Sequence, residues 1–222
     1  MRNVLRDYIL ILAHTGIRAG TEAMNLKWRD VYFFTKNKVE YLGMKVNGKT
    51  GERHVTIRHA AIRYLDRLRQ LNPEWAQLSF ESFIKKKIDA YVFRVDGKNR
   101  SGKIIHKDMT TAFGRMFTRY LERRGLLLDK VTGKPRSLYS LRHMYAVFAL
   151  TYNRMSIYTL AEHMGTSVPM IERHYGQIIL QDKASEIAGD KEYFIEKAKR
   201  EEQARLRKEK EKAASLKADD LN

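Results

Sequence analysis

Residues 139–175 read YSLRHMYAVFALTYNRMSIYTLAEHMGTSVPMIERHY, and the reading of this stretch decides the fold class. Leu141, Tyr145 and Phe148 are spaced as one helical face, and Ile157, Leu160, Ala161 and Met164 as another. A third helix is entered through Ser167, a cap residue, and Pro169, an early-turn proline. Working upstream, Phe113, Met116, Phe117, Tyr120 and Leu121 form the clearest helical stripe, with Asp108 as its expected cap. Residues 74–106 mix short helix and strand signals around Gly97 and Gly102 and yield no assignment. Ala61, Leu65 and Leu68 give a basic helix ending at Asn72-Pro73. Val31–Phe34, Val39–Val46 and His54–Arg58 have the β-branched, aromatic and alternating character of strands, separated by a polar loop from Asn47 to Glu52. Leu5, Tyr8, Ile9 and Leu12 form the first helical face, stopped by Gly16, with a short helix from Glu22 to Leu26 after it. The expected class is α+β, mainly α, with one small antiparallel sheet and its hairpin.

Forty-three Lys and Arg against 26 Asp and Glu give a net charge of +17 on 222 residues. Residues 191–222 hold ten basic and eight acidic residues, a surplus of two, so +15 of the total lies on residues 1–190. A globular body with that field points first to a polyanionic partner. Zero cysteines exclude disulfides, thiol nucleophiles and Cys-bound metals, and suit a reducing compartment, with the cytoplasm as the expected location. No window approaches the roughly 20 apolar residues of a membrane span, so no membrane partner is expected. Residues 191–217 read as a polar helix whose larger apolar residues, Tyr193, Phe194 and Ile195, cluster at its start, available for docking. The division expected is a domain at 1–190 and a charged tail at 191–222.

Four separated segments carry chemistry together. They are Thr15-Gly16-Ile17-Arg18, Asn47-Gly48-Lys49-Thr50-Gly51, Tyr139-Ser140-Leu141-Arg142-His143, and Met164-Gly165-Thr166-Ser167 with Tyr175 nine residues after Thr166. Breaking a phosphodiester through a side chain needs a hydroxyl nucleophile, cations for the charge on the nonbridging oxygens, and an acid for the departing oxygen. Tyr, Arg, Arg and Lys can fill those roles. Arg suits phosphate because its planar fork donates two bonds and stays charged, whereas a Lys amine can give up a proton. His163 and His174 match no metal-ligand spacing, and no cofactor is called for.

In their order and separation the four segments resemble the catalytic domain of the tyrosine recombinases, the phage integrase family, over residues 1–180. The resemblance implies a site-specific DNA recombinase or integrase of bacterial, phage or mobile-element type. Arg18 and Arg142 would clamp the scissile phosphate, Lys49 would protonate the leaving 5′-oxygen, and Tyr175 would form a covalent 3′-phosphotyrosyl bond. It also implies double-stranded DNA as partner, a homo-tetramer on two duplexes, accessory DNA-bending proteins, and a DNA-clamping domain upstream of Met1. The sequence departs from the family pattern at Tyr139 and Thr166, where His and His or Trp are usual, and at Thr21, with Glu22 one position beyond the usual acidic site. Tyr139 and Thr166 are then read as hydroxyl donors to the phosphate, Thr166 at a helix start. The base for Tyr175 lies open between water and a histidine, His143 first and His174 second. The alternative is a DNA-binding protein of the same fold with impaired catalysis.

Overall fold

The structure, a computed structural model, describes residues 1–48, 51–98, 101 and 103–219. It divides into two units, Met1–Tyr175 and Gly176–Asn222. The first begins with α1 (Arg2–Thr15), which buries Leu5, Tyr8, Ile11 and Leu12 at helical spacing. Ile9, expected on that face, is only partly buried, and Ile11 takes its place. Gly16 ends the helix with φ 66°, donating its N–H to the Leu12 carbonyl. A Cβ there would run into the ring of Tyr145, so glycine answers both a left-handed backbone and a close approach.

The chain then passes through α2 (Thr21–Asn25) and a 3-10 turn at Trp28–Asp30 into β1 (Val31–Lys36), β2 (Val39–Gly48) and β3 (Gly51–Ile57). These pair antiparallel in the order β1-β2-β3. The register, with Val31 opposite Met44 and Met44 opposite Val55, sets Val31, Leu42, Met44, Val46, Val55 and Ile57 on one buried face. The connection is tighter than the expected Asn47–Glu52 loop, because the ladder continues to Gly48 opposite Gly51.

After α3 (His59–Arg69), Pro73 opens a new short helix, α4 (Pro73–Ala76), with the Asn72 side chain accepting its first amides. The unassigned stretch resolves into α5 (Phe80–Lys85), β4 (Val95–Lys98) and β5 (Ile104–Lys107). Elements of four to six residues are too short to print a period. In α6 (Thr110–Arg123) the core side is Phe113, Phe117 and Leu121, while Met116 is half-buried and Tyr120 exposed. The ring of Tyr8 touches those of Phe93 and Phe113 at 5.0 Å each. The N-cap of α6 is Met109, not Asp108, although the Asp108 carboxylate accepts the Thr110 N–H at 2.7 Å.

Ser137 and Ser140 cap each other's amides at the start of α7 (Leu138–Thr151), which buries Leu138, Arg142, Tyr145, Ala146, Ala149 and Leu150. Its alanines let the helix lie close to α1, and this turns Phe148, expected inside, out to solvent. Ser156 caps α8 (Ile157–Met164), which ends on Gly165 at φ 61°. From there α9 (Val168–Asp182) carries Pro169 in its first turn.

The second unit comprises the end of α9, α10 (Ala184–Ile187) and α11 (Asp190–Asp219), of which α11 spans the polar helix expected over 191–217. Tyr193, Phe194 and Ile195 are each more than half exposed. Among the described residues no helix is long and apolar enough to cross a membrane.

Candidate active site

The C-terminal ends of α1 and α8 present carbonyls with no partner inside their own helices, and two arginines take them. Arg142, in the second turn of α7 and only 4% exposed, donates to the Gly16 and Met164 carbonyls, each at 2.5 Å. Arg18, two residues beyond Gly16, donates to the Gly165 carbonyl at 2.7 Å. The loop bearing Arg18 is held from below by the buried Tyr8 hydroxyl, which donates to the Ala19 carbonyl. Burial, and then the charge of Arg18, lower the Arg142 pKa to about 10, which leaves it protonated at neutral pH.

Glu22 is the counter-ion. Its fully buried carboxylate accepts the Arg18 backbone N–H at 2.8 Å, bonds the Arg18 guanidinium, and receives both ends of the Arg53 fork at 2.7 and 2.8 Å. Burial alone would raise the Glu22 pKa, but Arg53, followed by Arg18, brings it down to about 2. Glu22, one residue past Thr21, is the carboxylate that Arg18 and Arg53 share. Arg53 escaped the sequence reading, although the alternation Arg53, Val55, Ile57 sets it on the inward side of β3. Three guanidiniums around one carboxylate leave a local charge of +2.

A group whose pKa is lower in the folded state stabilises the fold above its unfolded pKa and loses that contribution as pH falls. For Glu22 the window runs from 4.5 down to about 2, and the contribution is roughly 3 kcal/mol. Glu22→Gln is expected to cost about 3 kcal/mol at pH 7, since it leaves buried guanidinium without its counter-charge. The variant's urea stability should also vary less between pH 4.5 and 2 than that of the wild type. Equal slopes would show that Glu22 is not the acid-sensitive group.

Tyr175, on α9 and only 6% exposed, has its hydroxyl 2.6 Å from His143 Nδ1. Burial, with Tyr139 adding to it and Arg142 offsetting part, raises the phenol to about 12. Burial, then His174 and Arg142, lower His143 below its ordinary 6.5. At neutral pH the imidazole is therefore uncharged, with Nδ1 free to accept the Tyr175 proton and the hydrogen assigned to Nε2.

The four residues Arg18, Arg142, His143 and Tyr175 come together. Tyr139 is 51% exposed, its ring edge-on to His143 at 5.0 Å between centroids. His174 is exposed, 6.1 Å from the His143 ring. Thr166 is half-buried between α8 and α9, and its N–H donates to Ala161 at 3.0 Å. That amide closes α8, and α9 begins only at Val168, so Thr166 lies ahead of the helix start expected for it. Lys49 lies outside the described residues. His163 stacks on Tyr145 at 5.3 Å and bonds the Thr15 carbonyl at 3.0 Å. Burial lowers its pKa to about 4, which makes it a neutral donor bracing the end of α1.

No protein-family model and no curated protein matches the sequence. Solved structures do. The XerH site-specific recombinase bound to difH substrate, in a pre-cleavage complex, aligns at a TM-score of 0.51 and 20% identity over 83% of this chain and 46% of that one. XerH bound to palindromic difH substrate, in a post-cleavage complex, aligns at 0.51 and 21% over the same shares. The chain has the tyrosine-recombinase fold, and spans less than half the length of those recombinases.

Proposed function

We propose that this chain cleaves and rejoins DNA strands at specific sites through a covalent 3′-phosphotyrosyl intermediate on Tyr175. The observation that carries the reading is the 2.6 Å contact of the Tyr175 hydroxyl with a neutral His143, one residue from the buried Arg142. Arg18 and Arg142 hold the nonbridging oxygens of the scissile phosphate. The Tyr175 oxygen attacks phosphorus, the bond to the 5′-oxygen breaks, His143 takes the phenol proton and Lys49 supplies one to the departing oxygen. Tyr139 and Thr166 orient the phosphate through their hydroxyls. A second DNA 5′-hydroxyl reverses the step onto a new strand. A phosphodiester carries one negative charge and its transition state about two, so a +2 cluster favours the latter.

Magnitudes decide when the proton moves. Burial holds the Tyr175 phenol near 12 and keeps His143 below its ordinary 6.5, so the separated tyrosinate–imidazolium pair is strongly disfavoured. Free tyrosinate before attack is too costly, so transfer accompanies formation of the phosphorus–oxygen bond. Double-stranded DNA as partner, a tetramer on two duplexes, accessory bending proteins and a cytoplasmic setting belong to the same reading. The basic surplus on residues 1–190 supports the DNA partner.

The test is a gel assay for protein–DNA adduct on a nicked duplex carrying the chain's own recombination site. Adduct is expected with EDTA present, because the guanidiniums supply the charge stabilisation that a metal would otherwise provide. The base must be neutral to act, so the rate should rise with pH through a midpoint below 6.5 and stay level above it. His143→Gln is expected to remove this acid limb and slow cleavage by about 100-fold. A midpoint unchanged in His143→Gln would assign the proton transfer to another group.

A further inference from the structure

A second cationic cluster stands behind the clamp, on residues with no part in the proposed cleavage. Arg58 is the residue before α3, at the position where a helix ordinarily receives an acceptor side chain, and the first turn of α3 has no acid. Its Nε and Nη2, and His14 Nδ1 from the last turn of α1, are buried and meet no hydrogen-bond partner among the described residues. Nε and Nη2 form the side-on edge of a guanidinium, the edge that grips an oxyanion with two parallel bonds.

The surroundings add positive charge and no negative charge. Arg63, exposed on α3, lies over the Tyr64 ring at 4.9 Å and donates to its hydroxyl at 2.9 Å. The His14 ring is 5.5 Å from Tyr64, and its affinity for a proton is lowered by burial, then by Arg58 and Arg63. Arg67, one turn further along, is neutralised by Asp7, and Asp66 is engaged by Arg69. Among the described ion pairs no carboxylate serves Arg58 or Arg63. The Tyr145 side chain hydrogen-bonds Arg58, yet Nε and Nη2 are left without an acceptor, which is expensive for buried charged donors, and the described ion pairs supply no anion here.

We propose that His14, Arg58 and Arg63 form a second oxyanion site, which takes a phosphate-class anion on the side-on edge of Arg58. The anion is either a backbone phosphate of DNA or a free phosphate group. The site rests on these residues whether or not Tyr175 cleaves DNA. The cluster adjoins the clamp, because Arg58 lies 4.9 Å from the Tyr145 ring, which also stacks on His163 and is closely approached by Gly16.

The probe is inorganic phosphate, with chloride at equal ionic strength as the control, and the readout is the His14 imidazole resonance at fixed pH. Phosphate is expected to move that resonance saturably and chloride is not. Arg58→Met should weaken the effect by at least about tenfold, the loss of one bidentate pair. In phosphate-free buffer Arg58→Met should be no less stable to urea than wild type, whereas an arginine that only packs on Tyr145 would lose stability there. Arg63→Gln, on the exposed side, serves as a second variant and should weaken phosphate without altering the fold. A short duplex that produces the same His14 shift assigns the anion to DNA, and a shift with phosphate but not duplex assigns it to free phosphate. No shift with either, or an equal shift with chloride, overturns the site without bearing on Tyr175.

Discussion

Tyr175→Phe is expected to abolish the covalent protein–DNA adduct while leaving duplex affinity within about twofold, since phosphate contacts dominate affinity and none is removed. The substitution deletes one oxygen from a ring that is 6% exposed, so packing against α7 is kept. What is lost inside the protein is the hydrogen bond to His143, worth about 0.5–1.5 kcal/mol. That is small beside typical domain stability, so the variant should fold. Binding and cleavage therefore separate cleanly in a gel, with shifted but unlinked DNA from Tyr175→Phe. Adduct from this variant would transfer the nucleophile to another hydroxyl. Tyr139 would be the first to test, since it is half exposed and packs on the same histidine.

What could be read from the sequence was what short-range chemistry dictates. Gly16 stops α1 because a left-handed residue is needed within one turn of Leu12, and Arg18 follows two residues later. Residues Arg142 and His143 share a helical turn, so their joint arrival at one site follows from adjacency. Tyr175 was marked by its order after the other segments, not by its own surroundings. Arg53 was invisible for the opposite reason, because its partner Glu22 is 31 residues away and meets it only once β2 and β3 pair. Tyr120 and Phe148 were misread because an apolar stripe on a helix is wider than the arc its neighbours cover. On α7 that arc runs through Ala146 and Ala149, which carry little hydropathy signal. Thr166 falls short of the helix start that the sequence suggests because its amide is claimed by Ala161, a closing bond set by the left-handed Gly165.

Arg142→Ala is expected to reduce the cleavage rate by about 100- to 1000-fold, the usual consequence of removing one donor from a developing oxyanion. It should also lower stability, whereas Arg18→Ala should slow cleavage comparably with little effect on folding. The difference lies in what each guanidinium holds. Arg142 is buried and joins the end of α1 to the end of α8 through the Gly16 and Met164 carbonyls. Losing it leaves two carbonyls unmet, at about 1–3 kcal/mol each before relaxation. Arg18 is a quarter exposed, and Glu22 keeps both Arg53 bonds without it. Lysine at position 142 should not restore the rate, because a single ammonium cannot span two carbonyls and still direct a fork at phosphate. Single-turnover cleavage and urea titration of the three variants supply both coordinates. A near-normal rate in Arg142→Ala would move the clamp elsewhere. Equal stability loss in Arg18→Ala would mean that Arg53 alone does not hold Glu22, and that the two arginines act on the carboxylate as one unit.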